Sequence, residues 1–153
     1  MRVLVACYKT SKSNPGVKWD DKLINWWTGK KGYSHVELFV PDTMKRYTSS
    51  GRIGGVVKKD IKSLQSTNVW DYIEVDLPCL GLSEIEQFYR KTKNDKYDWL
   101  GILGFILPIQ DRTNKWFCSE WVATVLKNTR CHKLAIYEPS KLSPNKLYEI
   151  LKG

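Results

Sequence analysis

The residues able to do thiol or proton-transfer chemistry are few: two histidines, His35 and His132, and four cysteines, Cys7, Cys79, Cys118 and Cys131. A thiol that acts as a nucleophile near neutral pH needs a neighbouring base or surroundings that favour the thiolate. His132 lies in the basic run Thr129-Arg130-Cys131-His132-Lys133 after a helical segment and reads as a solvated surface residue. His35 opens an apolar segment, Ser34-His35-Val36-Glu37-Leu38-Phe39-Val40, behind Gly32. Side chains alternate along a strand, so His35 and Glu37 project to the same face. Two titratable groups then stand on an otherwise apolar element. They read either as a structural pair or as a base with a carboxylate beside it.

Cys118 falls in Lys115-Trp116-Phe117-Cys118-Ser119-Glu120-Trp121, at the start of a helix whose apolar stripe is Trp121, Val122, Val125 and Leu126. Backbone N–H groups and the positive end of the dipole at a helix start favour a thiolate. The same N–H groups suit an oxyanion as a tetrahedral intermediate forms. The other cysteines lack this setting: Cys7 is mid-strand, Cys79 follows Pro78 in a loop, and Cys131 sits in a loop with no helix start after it. Position alone also fits a buried, inert thiol, the commonest fate of cysteine. No Cys-x-x-Cys pair or histidine cluster is present, so no metal site is expected, and thiol chemistry of this kind needs neither a metal nor an organic cofactor.

The elements that must position these groups follow from pattern. Residues 2–8 form a short apolar run suited to a buried strand, and residues 20–28 carry Leu23, Ile24 and Trp27 at helical spacing, stopped by Gly29. Strands are expected over residues 34–40, 46–50, 56–61 and 69–75, with a turn at Pro41-Asp42 and a tight segment at Gly51, Gly54 and Gly55. Ser83-Glu84-Ile85-Glu86 reads as a capping box, placing a helix from Ser83 to about Lys93. A second helix spans residues 117–126. A third has Ser143 as cap, Pro144 in its first turn, and Leu147, Ile150 and Leu151 inward. The expected fold is one α+β domain over residues 1–153, with a central antiparallel sheet packed against the helix that carries the cysteine.

Bulk properties bound the function. The 153 residues are 42% hydrophobic and 27% charged, which fits a globular chain with its own core. No apolar run reaches the roughly 20 residues of a spanning helix, since residues 100–109 are broken by Gly101, Gly104 and Pro108. The apolar stretch at the start is too short for a signal peptide, so a cytoplasmic protein with free thiols is expected. The net charge of +9 comes from pairs such as Lys30-Lys31, Lys45-Arg46 and Lys58-Lys59 and not from a long block. It reads as a solvated basic surface or as attraction to an anionic polymer, whether nucleic acid, cell wall or acidic lipid.

Tyr33-Ser34-His35-Val36-Glu37, followed much later by Phe117-Cys118-Ser119-Glu120 at a helix start, resembles the circularly permuted branch of the NlpC-type papain-like proteins. That branch includes the YiiX-like bacterial proteins and the lecithin:retinol acyltransferase group; in it the histidine strand precedes the cysteine helix. The approach to the histidine, from Trp26 through His35, and Tyr97-Asp98-Trp99-Leu100-Gly101 before the cysteine helix also resemble that branch. The segment Ser49-Ser50-Gly51-Arg52-Ile53-Gly54-Gly55-Val56 is similar to one in phage-encoded, uncharacterised members.

The resemblance implies Cys118 as nucleophile and His35 as general base and later acid, with a third polar group orienting the imidazole. The family places that group on the strand after the histidine strand, where this chain offers Ser49 and its neighbouring hydroxyls and no carboxylate. Glu37 is the alternative, favoured by charge. Tyr33, Tyr97 and Glu120 are candidates to shape the cleft or meet substrate, or simply to pack or cap. The implied substrate is a peptide amide, most often of cell-wall peptides, or a lipid acyl group, with action in a host cytoplasm or virion if phage-encoded. A non-catalytic basic module on the same fold, binding nucleic acid or a host protein, is the alternative expectation; the oligomeric state is left open.

Overall fold

The computed structural model describes residues 1–10, 32–99 and 114–153. The helix expected over residues 20–28, with Trp26 and Trp27, and the apolar stretch 100–109 lie outside the described residues.

Five strands of six to eight residues follow from the alternating and β-branched runs: β1 (Arg2–Lys9), β2 (Tyr33–Val40), β3 (Lys45–Ser50), β4 (Gly55–Asp60) and β5 (Trp70–Asp76). Two two-residue strands, β6 (Lys96–Tyr97) and β7 (Lys115–Trp116), extend them into a seven-stranded sheet ordered β5-β1-β2-β3-β4-β6-β7. Every neighbouring pair is antiparallel except β6–β7. With helices α1 (Gly81–Thr92), α2 (Cys118–Asn128) and α3 (Pro144–Lys152), the described residues form an α+β arrangement around an open, mostly antiparallel sheet.

Alternation in β1 and β2 divides the sheet into two chemically different faces. Val3, Val5, Cys7, Val36, Leu38 and Val40 join Tyr47 of β3 in the main core, against Trp121, Val122, Val125 and Leu126 of α2 and Leu147 and Leu151 of α3. Each such side chain contributes roughly 1.5–3 kcal/mol when fully buried. The intervening residues point the other way: Ala6 and Tyr8 form a small cluster with Trp70, backed by Val69 and Tyr72. His35, Glu37 and Arg46 line cavities on that second face.

Of the helix starts at α1 and α3, one departs from the sequence expectation and one follows it. Helix α1 begins at Gly81, two positions before the expected Ser83 cap. The reason lies in Glu86, whose carboxylate is held by the Tyr47 hydroxyl at 2.5 Å and by Lys58 Nζ at 3.1 Å. A side chain committed to the sheet does not reach back to cap its own helix. Helix α3 starts as expected, with Ser143 Oγ accepting from the Lys146 N–H at 3.2 Å and Pro144 following the cap.

Candidate active site

Register brings the candidate groups together. The β2–β3 ladder pairs Leu38 with Tyr47, Phe39 with Arg46 and Val40 with Lys45, and goes no further. Beyond it, Thr48 Oγ1 donates to the Val36 carbonyl at 2.7 Å and stands in for a backbone rung. Ser49 Oγ donates to the Trp116 carbonyl, also at 2.7 Å, and so ties β3 to the residue two places before Cys118. The start of α2 therefore arrives where His35 has no strand partner on the β3 side.

Phe117 is the extended N-cap of α2 and Cys118 its first helical residue. The first intrahelical bond runs from the Trp121 N–H to the Phe117 carbonyl, so the N–H groups of Cys118 and Ser119 lie ahead of the helical ladder. Cys118 is a close neighbour of the His35 ring and, after burial, the largest influence on its protonation. The two residues are 83 positions apart in the chain, and the fold makes them neighbours.

On its other side, His35 Nε2 stands 3.3 Å from Glu37 Oε1. The second oxygen of that carboxylate, Oε2, accepts from Arg46 Nη1 at 2.9 Å. Glu37 is buried and Arg46 largely so. A buried carboxylate is costly unless paired, and here it holds two cationic or potentially cationic partners. Burial pushes the Glu37 carboxyl up, but the hydrogen bonds and charges of His35 and Arg46 outweigh it and hold the group below its usual range. Burial likewise works against a charged His35, yet the Cys118 sulfur and then the Glu37 carboxylate overcome it and raise the imidazole to about 10. This neighbourhood favours the imidazolium. Beneath the pair, Cys7 is fully buried. Burial first, then the Asp71 charge and then Cys118, push its thiol upward.

A cavity of about 390 Å³ opens on the second face of the sheet. Tyr8, His35, Glu37, Arg46, Lys59 and Trp70 form part of its lining, together with the turn Ser50-Gly51-Arg52-Ile53 and Trp99. Gly51 is required for the Trp99 wall, since a Cβ there would sit 2.5 Å from the indole. Cys118 is fully covered and absent from the described lining, so the cavity reaches the thiol–imidazole pair through His35.

The remaining candidates occupy other places. Ser49 is fully buried, on the core-facing side of β3 with Tyr47, and its hydroxyl is committed to Trp116; it does not orient His35. Tyr33 donates to Asp71 Oδ2 at 2.5 Å and packs on Tyr148, with ring centroids 4.3 Å apart, outside the cavity lining. Tyr97 is buried against Trp99 and Phe117, so it supports the Trp99 wall from behind. Glu120 Oε2 accepts from the Phe117 N–H at 3.4 Å, a capping contact at the head of α2. His132 is exposed in a one-turn helix, His132–Leu134.

Sequence reasoning missed Arg46. Its place depends on the hairpin registry: the turn at Pro41–Thr43 pairs Phe39 with Arg46, which puts the guanidinium on the Glu37 face. Among the described residues no group of three or more His, Cys, Asp or Glu could hold a metal ion, and no helix is long and apolar enough to cross a membrane. No family model matches the chain, and neither does any curated protein or solved structure.

Proposed function

We propose that this protein is a cysteine-dependent hydrolase acting on amide or ester carbonyls, with Cys118 as nucleophile and His35 as its proton acceptor and donor. The observation that carries the reading is the position of one imidazole. It neighbours a thiol at a helix start on one side and faces a buried, Arg-held carboxylate on the other.

The chemistry follows from those contacts. Nε2 faces Glu37, leaving Nδ1 to take the thiol proton. The thiolate sulfur attacks the carbonyl carbon, and the oxyanion is received by the Cys118 and Ser119 N–H groups at the head of α2. Collapse breaks the bond to the leaving nitrogen or oxygen, which takes the proton from the imidazolium, and a thioester remains. Water then attacks the thioester while His35 accepts its proton; the carboxylic acid is released and the thiol is restored. Glu37 fixes the ring and stabilises its charged form, and Arg46 fixes Glu37.

The α+β sheet with its cysteine helix and the order of His35 before Cys118 are what a circularly permuted, NlpC-type papain-like domain would have. We read the fold that way, and the resemblance favours peptide amides as substrate.

Iodoacetamide labelling with peptide mapping tests the reading. Cys118 should react near neutral pH faster than Cys7 and Cys131, and His35→Ala should slow it by about 10²-fold or more, the scale of a lost general base. Labelling of Cys118 that is indifferent to His35 would overturn the mechanism.

A further inference from the structure

The cavity beside His35 has a charge imbalance that the thiol chemistry does not use. Among the described residues its lining carries the cations Arg46, Arg52 and Lys59 and one carboxylate, Glu37, and Arg52 has a partner of its own. Arg46 is committed to that carboxylate. Lys59 stands opposite Arg46 in the β3–β4 register, so its ammonium lies on the cavity face one strand out from the Glu37–Arg46 pair. Its neighbour Lys58 is paired with Glu86 on the other face, and Lys59 itself makes no ion pair among the described residues. Lys59 is exposed at the cavity rim, so a charge contact made there is partly screened by solvent.

Resting on the thiol-hydrolase reading, we infer that this cavity selects a substrate bearing a carboxylate near the carbonyl that Cys118 attacks, such as an acidic peptide, with Lys59 as the cation that receives it. A singly charged carboxylate suits one unpaired ammonium. A phosphate dianion is better served by a free guanidinium fork, and the fork of Arg46 is already held by Glu37. Trp99 and Ile53, each about half exposed at the cavity, give the uncharged part of such a substrate an apolar surface.

Two reagents that differ in one charge test the inference on the intact chain. Iodoacetate and iodoacetamide place the same electrophilic carbon beside a carboxylate or a neutral amide. A free thiolate, being an anion, prefers iodoacetamide. Cys118 should reverse that order, and Lys59→Met should slow iodoacetate by about fivefold while leaving the iodoacetamide rate within about twofold, as expected for one screened charge. Added salt should erase the preference in the parent protein and change little in Lys59→Met. If iodoacetamide is preferred and Lys59→Met leaves the ratio unchanged, the carboxylate assignment is wrong and the thiol mechanism stands. If neither reagent labels Cys118 ahead of Cys7 and Cys131, the hydrolase reading fails, and this inference with it.

Discussion

His35 Nε2 and Glu37 Oε1 stand 3.3 Å apart on a single strand, two positions from each other, and the far oxygen of the same carboxylate is clamped by Arg46 at 2.9 Å. A carboxylate so placed acts on the ring in two ways. It fixes which nitrogen faces the thiol, and its negative charge favours the imidazolium. Glu37→Gln keeps the size and removes the charge. Cys118 labelling should slow by at least about tenfold in that variant, with a smaller loss in Arg46→Gln, where Glu37 keeps its charge but loses its clamp. Stopped-time alkylation with mass spectrometry measures both.

Ser49 gives the opposite pattern. Its hydroxyl satisfies the Trp116 carbonyl in a fully buried setting. Ser49→Ala removes the donor and leaves the acceptor behind, at a cost of about 1–3 kcal/mol. Urea unfolding should report that loss, while the Cys118 labelling rate in the folded protein stays within about threefold of the parent. A large drop in reactivity at unchanged stability would return Ser49 to the role of orienting group.

The contrast between these two residues shows what was legible in the sequence. The apolar alternation of Val36, Leu38 and Val40 marks β2 and its buried face, and the stripe on α2 marks the helix that meets it. The same alternation, carried across the hairpin, excludes Ser49. Leu38 pairs with Tyr47, so Tyr47 and Ser49 face the core while Arg46 shares the Glu37 face. What the pattern could not supply was the registry itself. That is set by the turn at Pro41–Thr43 and by Thr48 replacing a backbone rung, neither of which has a periodic signature. The early start of α1 was hidden for a related reason. The expected cap partner, Glu86, is taken by Tyr47 and Lys58, which are distant in sequence.

Stability should carry the imprint of the same pair. His35 is raised from 6.5 to about 10, so its charged form is bound more tightly in the native state. Such a group contributes fully below the unfolded value, and its contribution is lost as pH rises through the folded one. The unfolding free energy of the parent relative to His35→Gln should therefore be largest near pH 6 and shrink towards zero above about pH 10. Paired urea titrations at the two ends of that window check the sign.

Gly51 should prove intolerant for a reason of space. A Cβ there would meet the Trp99 ring at 2.5 Å and the Tyr97 ring at 3.1 Å. Gly51→Ala must push the indole away from the cavity, at a cost of roughly 1–3 kcal/mol if the core behind it resists. A red-shifted tryptophan emission, absent when the same substitution is made in a Trp99→Phe background, would report the displaced wall.

The contact between the Cys118 sulfur and the His35 ring is the claim on which the rest stands, and a ¹⁵N titration of the His35 imidazole reads it most directly. The account predicts that the ring stays protonated well above neutrality in the parent protein, with a midpoint near 10, and that Cys118→Ala and Glu37→Gln each bring that midpoint down. A His35 that titrates near its ordinary 6.5 in the parent and is unmoved by Cys118→Ala would contradict it.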